Sequence, residues 1–118
     1  MKNPVKEAQF VTAEHAPRCT NAAVEAITGR MPDHLLIYGT SVLEELDRQG
    51  YEVEWMLRHG YRTLRALMRD MPEGTYYLAS AGHAMALVDG VLTDTEAKGF
   101  NLRRIQLMFR VTKKEEAS

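Results

Sequence analysis

Apolar positions recur at helical spacing through much of the chain before Thr75, and there the period changes. Ala8 to Thr12 is mildly apolar and suits a short strand or an extended lead-in, and Pro17 breaks any helix begun upstream. From Thr20 to Thr28 the chain is alanine-rich and amphipathic, with Ala23, Val24 and Ile27 at helical spacing and Gly29 as a C-terminal stop. The spacing predicts a helix entered through Arg18-Cys19-Thr20. Pro32 opens a second helical region that takes in Leu35, Leu36 and Ile37, is interrupted at Gly39, and continues from Ser41 to Gln49. Tyr51, Val53 and Trp55 alternate with Glu52 and Glu54, which is strand periodicity. Thr63 to Met71 reads as a third helix with Leu64, Leu67 and Met68 on one face, ended by Pro72-Glu73-Gly74.

After that the blocks are short. "TYYLAS", "HAMALVD" and "VLTDTE" read as three strands, and Asn101 to Val111 as a last one with Ile105, Leu107 and Phe109 alternating. Asp89-Gly90 is a strong two-residue hairpin signal, because the turn needs positive φ at its centre. Helices first and an antiparallel sheet afterwards make an α+β fold, with the N-terminal helices packed on a C-terminal antiparallel sheet.

Length and composition narrow the picture. The 118 residues suit one domain, taken here as 1–112, with Lys113, Lys114, Glu115 and Glu116 opening a fraying tail over 113–118. Apolar residues make up 45% and charged residues 26%, enough to bury a core. A net charge of -1 argues against nucleic acid as a partner. No stretch reaches the ~20 apolar residues of a membrane helix, and Met1 to Phe10 lacks the apolar centre of a signal peptide. A cytoplasmic protein is the expectation. The single cysteine forms no internal disulfide; His15, His34 and His59 lack ligand spacing, so neither a metal nor another cofactor is expected. The methionines are read as core filling.

Three residues remain that carry chemistry. With Asp89-Gly90 as a two-residue loop, Val88 faces Val91 and Met85 faces Asp94, so His83 and Asp94 share one face of the hairpin as diagonal neighbours. A carboxylate beside an imidazole fixes its tautomer and orientation. Cys19 stands at a helix start, where the dipole and unbonded N–H groups favour a thiolate and an oxyanion. Nucleophile, base and orienting group are all present. The plain alternatives are a small buried cysteine, a half-buried strand histidine and a turn aspartate.

The blocks "CTNAAVEAITG" (Cys19 to Gly29) and "TLRALMRDMPEGTYYLASAGHAMALVDGVLTDT" (Thr63 to Thr95) resemble the papain-like-fold cysteine peptidase superfamily. The chain is most similar to small phage and bacterial forms related in pattern to bacteriocin-leader-processing peptidases. The resemblance implies a minimal papain-like fold with Cys19 as nucleophile, His83 as general base and Asp94 as orienting residue. It implies a cysteine peptidase or amidase acting on peptide or isopeptide-like bonds, with a protein or peptide as substrate or partner. The alternative is a catalytically inactive binding protein on the same fold, a phage host-interaction factor or virion component. The family's oxyanion-donating glutamine, several residues before the cysteine, has no clean counterpart. Gln9, ten residues upstream, and His15, four upstream, are the candidates, and Arg18 stands where many relatives carry an acidic residue. A phage origin would place the protein in the bacterial host cytoplasm, or in the virion.

Overall fold

The computed structural model describes residues 9–12, 16–37, 39–57, 62–70, 73–80, 83–94 and 104–114. In chain order the elements are β1 (Gln9–Thr12), α1 (Cys19–Thr28), α2 (Gly39–Arg48), β2 (Tyr51–Leu57), β3 (Arg62–Thr63), α3 (Leu64–Asp70), β4 (Thr75–Ser80), β5 (His83–Val88), β6 (Val91–Asp94), β7 (Arg104–Ile105) and β8 (Leu107–Lys113). Six strands form the main sheet in the order β1-β6-β5-β4-β8-β2, and β3 and β7 make a small second sheet. The class is α+β, as the pattern predicts.

Both faces of the main sheet are covered. Ala23, Val24, Val42 and Leu46 from α1 and α2 pack with Tyr77, Ala84, Ala86 and Phe109 on one face. Leu64 and Leu67 of α3 pack with Tyr76, Leu78, Met85 and Leu87 on the other. Small residues on both partners let α1 approach closely: Ala22, Ala23, Ala84 and Ala86 are all buried. The helix ends where Gly29 turns left-handed (φ 81°) and its N–H donates to the Glu25 carbonyl at 2.7 Å, a conformation glycine adopts without a Cβ penalty. α2 carries a buried carboxylate, Glu45, which accepts from Arg48 Nη1 at 2.8 Å and from Gln49 Nε2 at 2.7 Å.

Several expectations need correction. The sheet is not purely C-terminal or purely antiparallel. β1 pairs in parallel with β6 at one edge, and β2 pairs with β8 at the other. The β2 alternation was legible because an edge strand keeps one side polar, and Glu52 and Glu54 are exposed. Residues 31–37 are not helical, so Pro32 opens no helix and α2 begins at Gly39. The last strand is divided at Gln106, whose N–H donates to the Ala79 carbonyl at 2.9 Å. The ladder runs beyond 112: Lys113 pairs with Tyr51, and the Lys114 N–H donates to the Gly50 carbonyl at 2.9 Å. Tyr76 and Tyr77 point to opposite faces, yet both are buried because each face has its own cover.

The β5–β6 hairpin has the register of a two-residue loop, Val88 opposite Val91 and Ala86 opposite Thr93. Asp89 and Gly90 both have positive φ (49° and 86°), as a primed turn requires. Asp89 also ties this turn to the start of β4. Its Oδ1 accepts from the Gly74 N–H at 3.0 Å, and its own N–H donates to the Gly74 carbonyl at 2.8 Å. Gly74 has φ 108°, and a Cβ there would lie 2.9 Å from the hydroxyl oxygen of buried Tyr76. Gly74→Ala is therefore expected to lower stability by about 1–3 kcal/mol, read as a reduced urea midpoint with an unchanged m-value.

Candidate active site

α1 starts at Cys19 because Arg18 is extended (φ -148°, ψ 159°) while its carbonyl already accepts the first helical bond, from the Ala22 N–H at 3.0 Å. Arg18 makes no side-chain cap. The N–H groups of Cys19, Thr20 and Asn21 come before the first intrahelical bond, and that end of the helix favours negative charge. Cys19 is partly exposed.

The stretch after α1 is fastened back onto this end. Asn21 is buried and uses both ends of its amide. Its Nδ2 donates to the His34 carbonyl at 2.9 Å, and its Oδ1 accepts from the Leu36 N–H at 3.0 Å. The Thr20 hydroxyl donates to the Leu36 carbonyl. Leu36 is thereby held in the core, and the neighbouring Leu35 and Ile37 are left exposed.

Cys19 opens onto a pocket of about 560 Å³ at one end of the main sheet. Arg18, Ser80 and His83 contribute its polar rim, and Ile37, Leu43 and Leu107 contribute apolar wall. Its floor is a line of aromatic rings on three adjacent strands. Trp55 faces Phe109 across the β2–β8 ladder, and Phe109 faces Tyr77 across β8–β4. Tyr77 stacks on Phe109 with centroids 4.8 Å apart and planes at 14°, while Trp55 meets Phe109 edge-on at 5.1 Å. Such cross-strand aromatic pairs hold one another in fixed orientations. Burial pushes the Tyr77 phenol above its ordinary pKa, and the charge of an ionised Cys19 pushes it further the same way. Tyr77 keeps its proton.

His83 is the first residue of β5, half-buried, and pairs with Ser80 across the β4–β5 ladder. Strand alternation places it with Met85 and Leu87, on the α3 face, whereas Cys19 lies over the Ala84–Ala86 face. Both residues nevertheless line the same pocket. His83 stands at the end of the strand, and the pocket reaches round that end of the sheet.

The other sequence-derived candidates are placed less completely. Asp94 closes β6, and one further step of the β5–β6 ladder brings position 94 opposite Met85, two residues from His83. Its side chain lies outside the described residues, as does all of His15. Gln9 is not brought to the pocket. Its backbone lies opposite Val91, beside the Asp89-Gly90 turn. The turn end of β5 is five residues from His83, about 16 Å along the strand at ~3.3 Å per residue. From sequence Tyr77 is visible as a strand residue without its neighbours, and Asn21 does not stand out. The hint for Asn21 was a polar residue at a core-facing position of α1.

A smaller pocket of about 290 Å³ lies beside α2, but the Glu45 carboxylate in it is already paired with Arg48 and Gln49. Nearby, a hydrogen bond from His34, with its charge, holds exposed Asp33 below the usual carboxylate range. Among the described residues, no group of three or more His, Cys, Asp or Glu could hold a metal ion. No described helix is long and apolar enough to cross a membrane. No protein-family model, curated protein or solved structure matches this chain.

Proposed function

We propose that this protein is a cysteine hydrolase of the papain-like kind, acting on amide bonds of peptide or isopeptide type. The observation that carries the proposal is that Cys19, at a helix start, and His83, at a strand start, line one pocket. In the proposed reaction the Cys19 thiol passes its proton to the His83 imidazole as sulfur bonds to the substrate carbonyl carbon. The imidazolium returns that proton to the departing amine, leaving a thioester. Water, or an acceptor amine, then takes the acyl group and regenerates the thiol. Asp94, on the strand beside His83, is assigned the orienting role. No cofactor enters these steps. The site of action carried over from the resemblance is the cytoplasm of a bacterial host.

Incubation with p-nitrophenyl acetate tests the proposal. The expected product is one acetyl group on Cys19, found by intact-mass measurement and peptide mapping, which is lost with time as the thiol returns. Cys19→Ser should carry none. Wild-type protein that stays unacetylated at Cys19 contradicts the hydrolase. It would favour the inactive binding protein, for which exposed Leu35 and Ile37, held out beside the pocket by the Asn21 clamp, are the supporting observation.

A further inference from the structure

The proposed hydrolase needs donors for the oxygen that becomes negative when sulfur attacks, and Gln9 is too far away to be one. Tyr77 is a buried pocket-lining residue with 4% of its surface exposed. Among the described residues no protein group accepts a hydrogen bond from its hydroxyl. Its ring stacks on Phe109, which holds the ring plane and the hydroxyl in one orientation. Cys19 lines the same pocket and packs against the cluster that holds Tyr77.

We propose that the Tyr77 hydroxyl and the Cys19 backbone N–H are the two donors that hold the substrate carbonyl oxygen during attack. This assignment rests on the hydrolase proposed above. As the Cys19 sulfur bonds to the carbonyl carbon, the π pair moves onto oxygen, and that oxyanion accepts from the Tyr77 O–H and the Cys19 N–H. When the intermediate collapses the pair returns, the carbon–nitrogen bond breaks, and the amine leaves with the proton from His83. Tyr77 keeps its own proton throughout. A donor held in place by stacking, in a site walled by apolar residues, needs no reorganisation as charge develops.

Tyr77→Phe keeps the ring and the stack and removes only the oxygen. Two reactions of Cys19 separate its possible roles. Acylation by p-nitrophenyl acetate passes through an oxyanion; alkylation by iodoacetamide is a direct displacement and does not. In Tyr77→Phe, acylation should fall by about 10²–10³-fold, while alkylation stays within about twofold of wild type and Tm is equal or higher. Equal acylation in the two proteins overturns the assignment of Tyr77 and leaves the hydrolase standing. Alkylation slowed together with acylation also overturns it, because the hydroxyl would then act on the sulfur. A lower Tm, or failure to fold, means that the hydroxyl has a structural partner, and overturns it as well. Wild-type protein that alkylates but never acylates removes the hydrolase, and the assignment of Tyr77 with it.

Discussion

Replacing His83 with alanine is expected to slow acylation of Cys19 by about 10²–10⁴-fold, the usual worth of a positioned general acid–base group. Cys19 and His83 line one pocket, and Arg18, Thr20 and Ser80, which also line it, are poor bases at neutral pH. Without the imidazole, the proton must leave the thiol to water, and the departing group must take one from water. His83 lies at a strand end, half-buried, and its removal leaves the Ala84 to Leu87 core of β5 in place. Stopped-flow release of nitrophenolate checks the rate, with Tm measured alongside. A rate close to wild type would show that His83 takes no part in proton transfer.

The second large effect is on stability. Asn21→Leu is expected to lower stability by about 3 kcal/mol, because two backbone groups lose their partners for ~1–3 kcal/mol each. The leucine matches the asparagine in size, but the His34 carbonyl and the Leu36 N–H would face an apolar side chain instead of an amide. At this chain length that corresponds to a Tm lower by roughly 10 °C. The same change loosens the stretch that sets Ile37 in the pocket wall, so acylation should fall in the folded variant too. Calorimetry with parallel acylation rates provides the check. A Tm within a few degrees of wild type would mean that water or a shifted backbone replaces both bonds.

How far the sequence could lead depended on how local each feature is. The Cys19 helix is set by its own alanine spacing and by Gly29, and the β5–β6 hairpin by Asp89-Gly90; both are readable because their causes lie within a few residues. β2 was readable because an edge strand alternates. The parallel pairing of β1 with β6 joins residues far apart in sequence, and nothing in "QFVT" announces it. The break at Gln106 depends on a bond to Ala79 in another strand. Burial of both Tyr76 and Tyr77 depends on helices on either side of β4. The site divides in the same way. Cys19, His83 and Asp94 stood out as chemistry-bearing residues beside helix and hairpin signals. Tyr77 became a candidate only once β4 was seen beside β8 and its ring against Phe109. Gln9 precedes Cys19 by ten residues in sequence, but the register of β1 sends it to the other end of the sheet.

The most direct test of the pairing of Cys19 with His83 is chemical rescue. Free imidazole, titrated into His83→Ala, should enter the space left by the missing ring and restore acylation of Cys19 in a saturable way, with no comparable gain in wild type or in Cys19→Ser. Acylation of His83→Ala that is as fast as wild type, or that imidazole leaves unchanged, would contradict a shared role for the two residues.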